Sequence, residues 1–172
     1  MSLTLFLSGE IHTDWRDHII AGCADMNITF TMPVTDHGAS DDCGVEILGP
    51  EPDKFWHDHK GAKLNAIRTR KAIADADIVV VRFGEKYKQW NAAFDAGYAA
   101  ALGKSLIILH GADHQHALKE VDAAALAVVK PLPKSCRFCA MCWMALFPKG
   151  NGLLAEIAKT GQANCVALFH QC

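Results

Sequence analysis

The chain alternates between short apolar runs and segments whose apolar residues recur every three to four positions. LTLFLS (3–8), ITFTM (28–32), DIVVVRF (77–83) and SLIILH (105–110) are rich in β-branched residues and leucine and are bounded by Gly, Pro or polar residues. That is the pattern of strands buried on both faces. AAALAVV (123–129) predicts a fifth. Between the strands, TDWRDHIIAGCADM (13–26) sets Trp15, Ile19, Ile20 and Cys23 at helical core spacing, and HDHKGAKLNAIRTRKAIADA (57–76) turns Leu64, Ile67 and Ile73 inward. QWNAAFDAGYAAALG (89–103) is a small, apolar helix that opens just past the end of the third strand, and HALKEVD (116–122) is a short one. VTDHGASDDCGVEILGPEPD (34–53), with four Asp, one His and three Gly, is expected to be a long loop. Such loops in compact domains are functional or disordered. Apolar strands alternating with helices predict one α/β domain over 1–129: a flavodoxin-like (Rossmann-like) doubly wound parallel sheet of about five strands.

Length and charge narrow the function classes. A chain of 172 residues, half of them apolar, can bury a core as one domain. Seventeen basic and nineteen acidic residues are scattered rather than blocked, for a net charge of −2. That balance offers no footprint for a nucleic acid polymer or an anionic membrane surface. MSLTLFLSGE lacks a basic start and a long apolar run, so no signal peptide is expected, and no stretch reaches the roughly 18 apolar residues of a span. The expectation is a cytoplasmic protein. Seven cysteines, an odd number with no export signal, argue against a disulfide framework.

Candidate chemistry starts at Asp95, a lone carboxylate in the first turns of the 89–103 helix. In open α/β sheets, ligands bind outside the carboxyl ends of the strands, where such a helix begins. The other reading is a charge that favours the helix start through capping and the macrodipole. No G-x-G-x-x-G follows the first strand and no G-x-x-x-x-G-K-[ST] occurs, so the common dinucleotide and P-loop readings lose their support. His37, Asp41, Asp42, His57, Asp58 and His59 invite a metal-hydrolase reading, but no pattern with ligand geometry appears and no metal or cofactor is expected. HGADHQH (110–116) is expected in solvent, and Arg68 and Arg70 on a solvated helix face that could hold a phosphate.

FDAGYAAALGKSLIIL (94–109) resembles the segment of nucleoside 2-deoxyribosyltransferases that reads acid-x-Gly-Tyr-Ala, about four variable residues, Gly-Lys and then a strand. IHTDWRD, EILG, FGEKYKQWN and ALGK are similar to the YtoQ family, and that likeness covers about residues 1 to 128. The resemblance implies the same fold, a homo-oligomer, and Asp95 in the place of the carboxylate that attacks the anomeric carbon of a 2-deoxynucleoside. It puts Asp58, in DHKG, where the transferases hold the sugar, although Asp58 could equally cap the next helix. Gly9 takes the place of a glycine that lets backbone approach the substrate. Two departures stand out: the nucleophile is Asp rather than Glu, and Gln89 replaces the acid six residues earlier that helps the leaving base. An amide hydrogen-bonds but delivers no proton at neutral pH.

Around this site Asn91, four residues before Asp95, could orient its carboxylate and counts as catalytic with it. Trp90, Tyr87 and Tyr98 could stack a base or wall off solvent. Glu10 and His12, after the first strand, are candidates for general acid work. Gly84, with Gln89, completes the substrate-binding set. The expected ligand is a small-molecule nucleoside or nucleotide, cleaved or transferred at its N-glycosidic bond. The alternatives are a non-catalytic module for a nucleotide-like ligand and, behind it, the metal-dependent hydrolase.

Residues 130–172 form an atypical tail. KPLPKSCRFCAMCWMALFPKG has three Pro, three Cys and no helical period where a last helix is due. C-x-x-C-x-x-C suggests an iron–sulfur run, but Leu146 stands where a fourth Cys belongs. A reading-frame shift near Val129 accounts for the segment better. FCAMCWM, back-translated and read one base earlier, forces L-[RC]-[YHND]-V-L-D-G, and compatible upstream codons give the capped amphipathic helix that is missing.

Overall fold

The computed structural model describes residues 2–86 and 88–129. The predicted tail, its cysteines, its frame-shift reading and Tyr87 all lie outside the described residues. Five strands, β1 (Leu3–Gly9), β2 (Ile28–Thr31), β3 (Ile78–Phe83), β4 (Ser105–His110) and β5 (Ala127–Val129), form one all-parallel sheet in the order β2-β1-β3-β4-β5. The helices are α1 (Trp15–Gly22), α2 (Cys43–Leu48), α3 (Lys54–Asp75), α4 (Trp90–Ala101) and α5 (Lys119–Ala124). The sheet, with α2 to α5, belongs to a compact unit made of Met1–Thr13 and Asn27–Pro131. A second unit includes Asp14–Met26 and hence α1. This is the flavodoxin-like α/β architecture that the run pattern predicts. No helix among the described residues is long and apolar enough to cross a membrane.

The inner strands β1, β3 and β4 bury both faces, as continuous apolar runs require, whereas β2, expected to be buried on both faces, lies at the sheet edge with no fully buried residue. Phe6, Val79, Val81, Phe83, Leu106 and Ile108 pack with Ile73 of α3, the Ala92, Ala96 and Ala99 stripe of α4, and Leu118. Leu5, Leu7, Ile78, Val80, Ile107 and Leu109 alternate with them and are also buried. Full burial of a valine contributes about 1.5–3 kcal/mol, and β3 has three consecutive valines at 0% exposure. The alanine stripe lets α4 lie close to the sheet. Gly103, at φ +66, ends α4 in the left-handed region. Lys104 reaches back with Nζ to the Ala74 and Ala76 carbonyls at 2.6 and 2.9 Å. The Gly-Lys of the family-like motif therefore closes one helix and caps another.

Several expectations need correction. The 34–53 segment is not simply a loop: it holds a π-helical turn (Gly38–Asp42) and α2. Few of its residues are buried, so it lacked an apolar period. It is held instead by glycine contacts, since a Cβ on Gly44 would lie 2.2 Å from the Gly61 nitrogen. Helix α3 begins at Lys54, capped by Asp53, whose side chain accepts from the Phe55 and Trp56 N–H groups at 2.9 and 3.4 Å. Asp58 is thus inside the helix and caps nothing. Ile67 is 65% exposed rather than inward. His110 is buried, not solvated: its Nε2 lies 3.0 Å from Asp122 Oδ2, tying the end of β4 to α5. Cys43 is a free buried thiol.

Candidate functional site

Strand order reverses between β1 and β3. The chain leaves β1 toward β2 on one side and leaves β3 toward β4 on the other, which opens a crevice at their carboxyl ends. Ser8 pairs with Val81 and Gly9 with Arg82 in this register. Gly9 is at φ +100, and a Cβ there would stand 2.1 Å from the Arg82 carbonyl oxygen. Only glycine lets β1 turn away so close to β3.

Asp95 faces this strand end. Ser8, fully buried, donates from Oγ to Asp95 Oδ2 at 2.5 Å. Period-two alternation puts Ser8 on the same face of β1 as Phe6, toward α4. Asp95 is the sixth residue of α4, not in its first turn, so free helix N–H groups do not stabilise its charge. Burial instead pushes its carboxyl above the ordinary carboxylate range, and the Ser8 hydroxyl pulls it part of the way back. Ser8 is the residue that sequence reasoning missed. Its signal was a polar residue closing the apolar run of β1 just before Gly9.

A second cluster sits beside it. Glu10, 4% exposed, accepts from the His12 backbone N–H and from Thr13 Oγ1 at 2.5 Å, and its Oε2 is 3.8 Å from Arg82 Nε. Its own N–H donates to the Arg82 carbonyl at 3.0 Å. Gly84 makes room for it: a Cβ on Gly84 would fall 2.3 Å from Glu10 Cγ. Gln89 closes the loop between β3 and α4. Its Oε1 accepts from the Gly84 N–H at 3.1 Å, and its Nε2 donates to the Lys86 and Gly84 carbonyls at 3.0 and 3.4 Å. The Gln89 amide is therefore occupied by its own loop.

The remaining predicted residues are less closely gathered. Asn91 is exposed and makes no hydrogen bond to Asp95. Trp90 is 72% exposed, with Lys88 Nζ 5.9 Å from its ring centroid. Tyr98, one turn beyond Asp95, packs against the α4 core. His12 is exposed at the end of the Glu10 turn. Asp58 is 3.6 Å from His57 Nδ1 and lines an open cleft of about 530 Å³ with His37, Asp41, Asp42 and Lys54. Gly61, three residues after Asp58, is small because a Cβ would sit 2.6 Å from the Asp41 carbonyl oxygen. Among the described residues, no group of three or more His, Cys, Asp or Glu is arranged to hold a metal ion.

Comparison with known proteins places this geometry in a family. Residues 6–138 match the family model described as nucleoside 2-deoxyribosyltransferase YtoQ. The uncharacterized protein YtoQ of Bacillus subtilis is 42% identical over 132 residues, covering 76% of this chain and 89% of that protein. Among solved structures, a CMP N-glycosidase of Clostridium botulinum has a TM-score of 0.45 at 14% identity, over 76% of this chain and 91% of that one. A 2-deoxyribosyltransferase from Bacillus psychrosaccharolyticus has 0.45 at 16%, over 74% and 86%. An adenylate cyclase from Rhodopirellula baltica also scores 0.45, at 9% identity over 97% and 98%. Likeness at that level does not separate one reaction from another. With the family match over most of its length and the 42% identity, the chain belongs to the nucleoside 2-deoxyribosyltransferase YtoQ family.

Proposed function

We propose that this protein cleaves or transfers at the N-glycosidic bond of a (deoxy)nucleoside or nucleotide, with Asp95 as nucleophile or as stabiliser of the developing positive charge. The observation that carries this reading is a partly buried carboxylate held by the fully buried Ser8 at the strand-order reversal. N-glycosidic cleavage passes through an oxocarbenium-like state, which a fixed carboxylate can capture or stabilise. In the covalent form, Asp95 forms a bond to C1′ while the C1′–N bond breaks, its electron pair leaving with the base, which takes a proton from water. An acceptor base or water then attacks C1′, the C1′–O ester bond breaks, and the carboxylate is restored. Ser8 fixes which oxygen faces the sugar. The family description supports a nucleoside substrate.

One observation favours the non-catalytic alternative. Gln89 stands where the transferases carry an acid, and its amide is engaged by loop backbone. A site with no acid at the leaving base can bind a nucleoside-like ligand without turning it over. Chromatography of the protein with deoxynucleosides, ribonucleosides and their monophosphates, with and without a free acceptor base, separates the readings. Base release or exchange that disappears in Asp95→Ala supports the reaction. Ligand-induced thermal stabilisation with no turnover across the panel leaves the binding module.

A further inference from the structure

The loop after β1 gathers donors around a carboxylate of the chain itself. Three donors converge on one place at the carboxyl end of β1: the His12 backbone N–H, the Thr13 hydroxyl and the Arg82 guanidinium. A backbone N–H, a hydroxyl and a guanidinium are the donors that hold phosphate oxygens. Here they surround the Glu10 carboxylate, which is 4% exposed and wedged against Gly84, where no side chain would fit. Arg82 Nε is buried and has no hydrogen-bond partner among the described residues, with Glu10 Oε2 3.8 Å away. Its charge is compensated by Glu10 at a distance longer than a hydrogen bond.

We propose that Glu10 is an internal substitute for a phosphate and determines specificity, excluding phosphorylated ligands from the crevice beside Asp95 and leaving uncharged nucleosides as the substrate class. This rests on the N-glycosidic reading for its consequence, but not for the anion site itself. A phosphate brought to these donors would meet the Glu10 carboxylate, and like charges so placed repel strongly. Removing Glu10 leaves Arg82, Thr13 and the loop N–H with no anion between them.

The test is calorimetric titration of the full chain with inorganic phosphate, followed by turnover of matched nucleosides and 5′-monophosphates. Wild type is expected to take up no phosphate in the millimolar range and Glu10→Ala to bind it, with binding lost again in Glu10→Ala/Arg82→Ala. The ratio of kcat/KM for nucleoside over monophosphate should fall by about tenfold or more in Glu10→Ala, chiefly through KM of the monophosphate. Glu10→Gln, which keeps the volume, should shift the ratio in the same direction, and it serves if the alanine variant does not fold. Equal phosphate binding by wild type and a folded Glu10 variant overturns the inference. So does a wild type that turns over monophosphates as well as nucleosides, and in that case the N-glycosidic reading stands. If the phosphate pattern holds but nothing is turned over, the masked anion site stands and the reaction falls.

Discussion

Ser8→Ala removes one oxygen atom, and its effect on Asp95 can be worked out in advance. Ser8 is fully buried and donates at 2.5 Å to a carboxylate already pushed upward by burial. A hydrogen bond to a charged group contributes about 1.5–3 kcal/mol. The bond favours the ionised form, so its loss raises the folded-state pKa of Asp95 while the unfolded value stays put. At about 1.4 kcal/mol per unit, the acid limb of the pH–rate profile should move up by about one to two units. Stability should respond with a definite sign. The hydrogen bond helps only when Asp95 is ionised, so the deficit of Ser8→Ala is full above its raised folded pKa and shrinks as pH falls through that pKa and the wild-type one. Urea unfolding at a series of pH values and the pH dependence of base release measure the two effects. An acid limb that does not move, or a stability deficit that is the same at every pH, would refute the coupling of Ser8 to Asp95.

Other substitutions probe the neighbouring contacts. Gln89→Glu should destabilise by about 1–3 kcal/mol in urea unfolding, because it removes the donors to the Lys86 and Gly84 carbonyls and places an acid beside Glu10. A Gln89→Glu variant as stable as wild type would show that the amide is not needed by the loop. Asp95→Asn should melt above wild type at pH 7. Burial raises the folded pKa, so the carboxyl adds stability that is present below the unfolded pKa and lost as pH rises through the folded one; the advantage of Asn should vanish in acid. Calorimetry across pH checks both sign and window. Gly44→Ala, which would bring a Cβ 2.2 Å from the Gly61 nitrogen, should cost about 1–3 kcal/mol by overpacking α2 on α3, read as a lower urea midpoint.

Most of the fold was legible because a parallel sheet writes itself as apolar runs, and β1, β3 and β4 fall where those runs lie. The π-helical turn and α2 were not, because their stability comes from Gly44 against Gly61, a contact 17 positions apart with no local signature. His110 looked like part of a polar loop, yet its pairing with Asp122 of α5 buries it. At the site, Asp95 could be picked out as a lone acid near a strand end, but its surroundings could not. Nearness to the helix start suggested dipole stabilisation, but the sixth position of α4 is past the first turn, and burial with the Ser8 hydroxyl gives a different electrostatic setting. Gln89 and Glu10 were read as groups facing a ligand. Both side chains are hydrogen-bonded within their own loops, which only the backbone path of those loops reveals.

The central claim is that the Asp95 charge acts at the anomeric carbon. The direct measurement is the rate of base release from a deoxynucleoside by wild type and by Asp95→Asn, with ligand affinity taken by calorimetry on the same samples. Comparable affinity and a rate lower by about a thousandfold or more are expected in Asp95→Asn. A variant whose rate stays within about tenfold of wild type would contradict it and move the chemistry to another residue.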